Sequence, residues 1–227
     1  AIVFADADLE KALRTTVRSS FANQGQICLC SSRILIERSV YEEFRNRLVE
    51  KASRMTPGDP LADDTKMGAV VSETHRDKIL AAIDRAVADG GRILVGGSAA
   101  PAPNDRCANG YFVQPTIIEG VPVACDLNQQ EVFGPVISLL PFDTEEEALA
   151  LANSTDYGLS ATLWTQDLQR AHRVAAQVET GIVWVNCWLV RDLRTPFGGV
   201  KSSGVGREGG FEALRFFTEP QNVCIEL

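Results

Sequence analysis

The sequence has few histidines and no excess of basic residues. It contains only two histidines, and its six cysteines include no C-x-x-C pair, so the spacing does not favour a metal site. Acidic residues outnumber basic ones by 30 to 22, which gives a formal net charge of -8. DNA and anionic membranes recruit patches of lysine and arginine. We therefore expect a small-molecule ligand, without nucleic-acid or membrane partners.

Long apolar runs and targeting signals are also missing. No apolar stretch approaches the roughly 20 residues that cross a bilayer, and the opening AIVFADADLE carries acids where a signal peptide has basic residues. The cysteines are scattered along a chain that is large enough to form a core without disulfides. These features predict a globular cytoplasmic protein with free thiols.

Segments of helical period alternate with short apolar and β-branched runs, which predicts an α/β fold with a layered sheet and flanking helices. Strands are predicted at SSRILIE, RILVGG, VISLLPF, LSATLWT and IVWVN. Polar residues that cap helices precede four helical segments: Asp8, Ser39, Ser72 or Thr74, and Thr144, the last in a capping box with Glu147.

Two regions depart from this alternation. SAAPAPNDRCANG is small, polar and proline-rich, which predicts an exposed excursion. The helix QDLQRAHRVAAQV is expected to end at Gly181. Beyond the next strand, the segment CWLVRDLRTPFGGVKSSGVGREGG has neither a helical nor a strand period, which is typical of a functional loop. We expect residues 1–215 to form one α/β domain. Residues 216–227 are expected to form a protruding C-terminal strand that pairs with another domain or subunit.

Cys28 lies in FANQGQICLCSS, directly after the predicted end of the first helix. Gly25 permits a sharp turn there, and the small neighbouring residues leave the thiol accessible. A thiolate near backbone N–H groups is stabilised, and the thiolate is the form that attacks carbonyl carbons. By itself the pattern leaves open that Cys28 and Cys30 are buried core residues.

Two segments resemble the aldehyde dehydrogenase superfamily. FANQGQIC resembles its cysteine active-site signature, in which an aromatic residue starts the run and Gly-Gln-x-Cys ends it. EVFGPV resembles the segment whose Glu contacts the ribose next to the nicotinamide and whose Phe packs near the ring. The resemblance implies Cys28 as the nucleophile, Glu131 and Phe133 as cofactor contacts, and NAD or NADP as the cofactor. Without it, Glu131 before Phe-Gly-Pro is typical of an ordinary turn.

Two further segments carry the same resemblance. WVN followed by PFGGVKSSGVGREGG is similar to the family's C-terminal strand and loop, which implies that Phe197 lines the substrate tunnel. The glycines lack the G-x-x-x-x-G-K-[ST] spacing of a phosphate-binding loop. His75, in VSETHRDKIL, stands where family members contact the cofactor ribose. A solvent-facing histidine in the first turn of a helix is the alternative interpretation.

The segment NCWLVRDLRTPFGG bears on the substrate. It resembles the branch of the family that oxidises muconic semialdehydes, such as 2-hydroxymuconic and 2-aminomuconic semialdehyde, in the breakdown of aromatic rings. Arg191 stands where many relatives have an aromatic or apolar residue facing the aldehyde tunnel, so its guanidinium is expected to bind a substrate carboxylate. An ion pair of Arg191 with Asp192 or a neighbouring acid fits the sequence equally well.

The opening AIVFADADLE resembles the stretch just after the family's Glu-Leu-Gly-Gly motif. The general-base Glu and the cofactor-binding domain are then expected upstream, in an N-terminal domain absent from this chain, and the chain alone is expected to lack full turnover. A homo-oligomer, dimer or tetramer, is expected for the full-length protein. Two alternatives stay open: a CoA-acylating aldehyde dehydrogenase, and a non-catalytic fragment that pairs subunits through QNVCIEL.

Overall fold

The computed structural model describes residues 1–227, and its regular structure consists of eleven strands, seven α-helices and two short 3-10 helices. The strands are β1 (Ile2–Val3), β2 (Arg33–Glu37), β3 (Arg92–Val95), β4 (Ala99–Ala100), β5 (Phe112–Val113), β6 (Thr116–Glu119), β7 (Val136–Phe142), β8 (Tyr157–Gly158), β9 (Ser160–Trp164), β10 (Ile182–Val185) and β11 (Val200–Lys201). The helices are α1 (Leu9–Phe21), α2 (Arg38–Ser53), α3 (Glu73–Ala88), α4 (Asp126–Gln129), α5 (Glu145–Asn153), α6 (Leu168–Ala175) and α7 (Gly210–Phe217). None of the helices is long and apolar enough to cross a membrane.

A seven-stranded sheet forms the centre of the fold, in the order β10-β9-β1-β2-β7-β6-β3. Neighbouring strands are parallel throughout, except that β3 runs antiparallel to β6. β8 with β11 and β4 with β5 make two small antiparallel pairs outside it. The predicted α/β fold is therefore confirmed, with helices on both faces of the sheet.

Alternation along β2 shows how the two faces are covered. Ile34 and Ile36 belong to the core cluster that includes residues of α1 and α2, whereas Leu35 points to the opposite cluster, which includes residues of α5 and α6. All three side chains are buried. A parallel strand with helices on both faces needs such a continuous apolar run, which is why the sequence RILIE predicts a buried strand.

Three of the predicted helix caps are confirmed and one is wrong. Asp8 accepts a hydrogen bond from the Lys11 N–H at 2.9 Å, Ser72 caps α3 and Thr144 caps α5. Ser39 does not cap α2, because β2 runs directly into the helix, which begins at Arg38.

The end of the chain differs from the prediction in detail. α6 ends at Ala175, well before Gly181, and α7 was not predicted, since it is short and begins at a Gly-Gly pair. Phe216 and Phe217 therefore end a helix, and the boundary expected after residue 215 lies inside it. Residues 218–227 protrude, are exposed and form no strand within this chain. Their pairing with another domain or subunit stays a prediction.

The polar excursion between β3 and β6 is tied to a second loop by one carboxylate. Asp59 accepts hydrogen bonds from Asn104 Nδ2 at 2.7 Å and from the Leu61 N–H at 3.0 Å, and it forms an ion pair with Arg106. These donors, Arg106 first, hold the pKa of the Asp59 carboxyl well below its usual range. The excursion is thus anchored at neutral pH, although much of its surface is exposed as predicted.

Candidate active site

The turn that carries Cys28 begins where α1 ends. After Phe21 the chain makes a single tight turn, Ala22–Gly25, in which Asn23 (φ 49°) and Gln24 (φ 58°) take left-handed backbone conformations. The chain then reverses, and the Cys30 N–H donates to the Ile27 carbonyl at 2.9 Å. Cys28 lies inside this second turn and is exposed, so the alternative that it is a core residue is wrong.

The two turns between residues 22 and 30 are called the cysteine turn below. Gly25 brings the cysteine turn into contact with the segment that precedes β7. A Cβ atom built on Gly25 (φ +71°) would lie 2.1 Å from the carbonyl oxygen of Gly134. On the other side, a Cβ built on Gly134 would lie 2.6 Å from Cδ1 of Ile79 in α3. Two glycines at one crossing allow three elements to pack closely, and they place FANQGQIC beside EVFGPV.

Phe133 and His75 are joined by a hydrogen bond. The His75 imidazole donates from Nε2 to the Phe133 carbonyl at 2.8 Å, which requires a proton on Nε2 because a carbonyl only accepts. Phe133 has a left-handed backbone (φ 57°) and is 36% exposed. His75 is half-buried and its hydrogen bond lies at the surface, so a contact with a ribose and the solvent-facing alternative both stay open.

Cys28 and Glu131 line the same cavity, which has a volume of about 360 Å³. It lies where β1, β2 and β9 begin, and its wall includes Ala1, Ser160 and Ser203. A smaller cavity of about 50 Å³ adjoins it and is lined by Cys28, Glu131 and Phe133. The structure therefore brings together three of the side chains that the sequence singled out.

The two neighbouring cysteines differ in their surroundings. Cys30 is largely enclosed, with its Sγ 3.9 Å from the Ala22 carbonyl, and burial raises the pKa of its thiol to about 11. Cys30 is consequently protonated at neutral pH. Since the thiolate is the nucleophile, the exposed Cys28 is the better placed of the two for attack on a carbonyl carbon.

Trp188 holds the cysteine turn from the opposite side, and the sequence analysis did not identify it. Its indole N–H donates to the Leu29 carbonyl at 2.8 Å, and both residues are buried together with Trp184 in a small apolar cluster. A buried tryptophan needs a partner for its N–H. A tryptophan within a Gly/Pro-rich loop was therefore the one feature of the sequence that could have indicated this contact. Phe197 packs against the same cluster.

Arg191 lies over the ring of Phe197, with Cζ 4.1 Å from the ring centroid. Asp192 does not pair with Arg191, because Arg194 binds it through Nε at 2.9 Å. The acid near Arg191 is Glu208, at 3.8 Å, whose side chain is 64% exposed. An exposed pair of this length contributes little free energy, so the Arg191 guanidinium stays available to a ligand.

Comparison with known proteins gives the family of the chain. Residues 1–223 match the aldehyde dehydrogenase family. The chain belongs to that family. It is 51% identical over its whole length to 2-aminomuconic semialdehyde dehydrogenase of Danio rerio and 48% identical, again over its whole length, to 2-hydroxymuconic semialdehyde dehydrogenase of Pseudomonas sp. (strain CF600). It covers 47% and 46% of these proteins, so the chain spans about half the length of the curated relatives it matches.

A solved structure of the family gives the same fold. Betaine aldehyde dehydrogenase of Staphylococcus aureus, determined in complex with NAD+, superposes with a TM-score of 0.91 at 37% identity. The match covers 98% of this chain and 45% of that structure. The aldehyde dehydrogenase fold of this chain therefore rests on sequence and structure together.

Proposed function

We propose that this chain is the cysteine-bearing part of an NAD-dependent aldehyde dehydrogenase that oxidises a carboxylate-bearing semialdehyde to the acid. The observation that carries the proposal is that Cys28, Glu131 and Phe133 line adjoining cavities. Family membership supports the reaction, and the names of the Danio rerio and Pseudomonas relatives support the substrate class. NADP is compatible with the same side chains.

Cys28 adds to the aldehyde in the proposed reaction. Its thiolate attacks the carbonyl carbon and forms a tetrahedral thiohemiacetal, whose oxygen carries negative charge. The Cys28 backbone N–H has no hydrogen-bond partner within the chain, so it is free to donate to that oxygen. NAD, when bound, supplies the acceptor for the hydride. Loss of hydride leaves a thioester on Cys28, which water hydrolyses because a thiolate departs readily.

The cofactor contacts are assigned to the segment before β7. The Glu131 carboxylate is exposed at the cavity, and carboxylates accept hydrogen bonds from ribose hydroxyls. The Phe133 ring is proposed to pack near the nicotinamide. His75 is proposed to contribute to the ribose site, and its hydrogen bond to the Phe133 carbonyl holds this segment in its left-handed conformation.

We propose that this chain supplies only part of the enzyme, since it spans about half the length of the curated relatives. Hydrolysis of the thioester needs a general base, which we assign to a glutamate in an N-terminal domain that also binds the cofactor. Residues 216–227 include exposed Val223 and Ile225, and we assign this tail to a dimer or tetramer interface of a cytoplasmic enzyme.

The reaction is tested with the full-length protein that contains this chain. With NAD and a carboxylate-bearing semialdehyde, we expect reduction of the cofactor and release of the dicarboxylic acid at the same rate with and without CoA. Formation of an acyl-CoA, with turnover only when CoA is added, would favour the acylating alternative. Absence of cofactor reduction with every aldehyde would favour the non-catalytic alternative.

Arg191 provides a prediction about specificity. Replacing Arg191 with alanine in the full-length protein is expected to raise KM for a carboxylate-bearing semialdehyde by about 10-fold or more, because a charge-assisted hydrogen bond is lost. A neutral aldehyde of equal length should be oxidised as before. Arg194, which is paired with Asp192, offers the matched control: Arg194→Ala should leave both KM values unchanged. Equal losses on both aldehydes in Arg191→Ala would refute the assignment.

A further inference from the structure

Arg18 is an unpaired cation in a chain rich in acids. Every other arginine side chain donates a hydrogen bond or forms an ion pair, and Arg18 does neither. It is exposed, lies in the last turn of α1, and the chain has 30 acidic residues against 22 basic ones. An arginine left without an acid under these conditions is available to an anionic ligand.

The position of Arg18 connects it to the cysteine turn. Its Cζ lies 5.8 Å from the ring centroid of Trp188, and the same indole donates its N–H to the carbonyl of Leu29, the residue after Cys28. One aromatic ring thus contacts both Arg18 and the backbone that carries the nucleophile. Stacking over a ring orders a guanidinium and leaves its N–H edge free to bind a carboxylate.

Arg191 repeats this arrangement on the neighbouring ring. It stacks on Phe197, and Phe197 packs against the cluster that contains Trp188. Two guanidinium groups are therefore held on aromatic rings of one cluster, beside the turn that carries Cys28. Arg18 has no acid near it and Arg191 has only a distant, exposed one, so both cations lack a strong partner within the chain.

We propose that Arg18 is a second specificity-determining residue, which binds the acid end of the substrate together with Arg191. The inference rests on the proposed function and goes beyond it, since it assigns a residue of α1 to the recognition of the substrate carboxylate. Two cations on the rings of this cluster favour a substrate that carries a negative charge at a distance from its aldehyde group. A neutral aldehyde gains nothing from either arginine.

The test compares two aldehydes in the full-length protein. Arg18→Gln is expected to raise KM for a carboxylate-bearing semialdehyde by about 10-fold to 100-fold, with kcat little changed, and to leave both constants unchanged for a neutral aldehyde of equal length. Arg18→Lys keeps the charge without the planar donor edge, so its KM for the carboxylate-bearing semialdehyde should lie between those of the unaltered protein and Arg18→Gln. Arg14, one turn earlier and paired with Glu10, is the matched control, and Arg14→Gln should behave as the unaltered protein.

Three outcomes would overturn the inference. A parallel loss on both aldehydes would mean that Arg18 only stabilises the end of α1 through the helix dipole. Unchanged constants for the acidic substrate would place Arg18 outside the site, and aldehyde oxidation by the enzyme would still stand. Failure of the unaltered protein to oxidise any aldehyde would remove the proposed function and this inference together.

Discussion

Replacing Gly25 with alanine is expected to lower the free energy of unfolding by about 2 to 5 kcal/mol. A left-handed backbone costs a residue with a Cβ roughly 1 to 2 kcal/mol, and overpacking adds about 1 to 3 kcal/mol. The new Cβ would lie 2.1 Å from the Gly134 carbonyl oxygen, so the backbone itself must move. Because Gly134 follows Phe133, the substitution should also separate Cys28 from the cofactor segment and impair catalysis.

Gly90 provides a matched control for this substitution. It also has a positive φ, +96°, but a Cβ built there has no atom within 4 Å. Gly90→Ala should therefore lose only the conformational part, about 1 to 2 kcal/mol, and keep its activity. Urea unfolding of the full-length protein measures both variants. Equal losses in the two would mean that the close crossing of Gly25 and Gly134 does not stabilise the fold.

The fold was predictable where a pattern is local. Asp8, Ser72 and Thr144 cap helices as expected, because an N-cap is decided by a side chain and amides two or three residues away. Strand β2 was equally clear, since burial on both faces requires a continuous apolar run. α7 was missed because it is short and begins at a Gly-Gly pair, and glycine favours a loop over a helix.

The candidate site was predictable only in part, because contacts between segments distant in the sequence bring its residues together. Resemblance singled out Cys28, Glu131 and Phe133 one motif at a time, and the cavities contain all three. Their meeting depends on Gly25 packing against Gly134, and the two glycines are far apart in the sequence. Tertiary contacts of this kind leave no local pattern.

The aromatic supports of the site show the same limit. Trp188 and Arg18 lie on distant elements, the loop after β10 and the end of α1, and only the folded chain brings them together. For Arg191 the sequence left two interpretations open, a substrate carboxylate or a surface acid. The structure corrects the identity of that acid, since Asp192 forms an ion pair with Arg194 and the acid near Arg191 is Glu208.

Replacing Cys28 with serine is expected to have the largest effect on catalysis. A serine hydroxyl is not ionised near neutral pH, so attack on the aldehyde should slow by at least about 10³-fold. Cys30 cannot substitute for it, because burial raises the pKa of its thiol to about 11 and keeps it protonated. Cys30→Ser should retain most of the activity, since a thiol that stays protonated does not take part in the attack.

The most direct measurement is the rate of NAD reduction at saturating semialdehyde in the full-length protein, compared between Cys28→Ser and Cys30→Ser after circular dichroism has shown that both are folded. We expect cofactor reduction to disappear in the first variant and to persist in the second. Continued reduction by a folded Cys28→Ser protein, or its selective loss in Cys30→Ser, would contradict the assignment of Cys28 as the nucleophile.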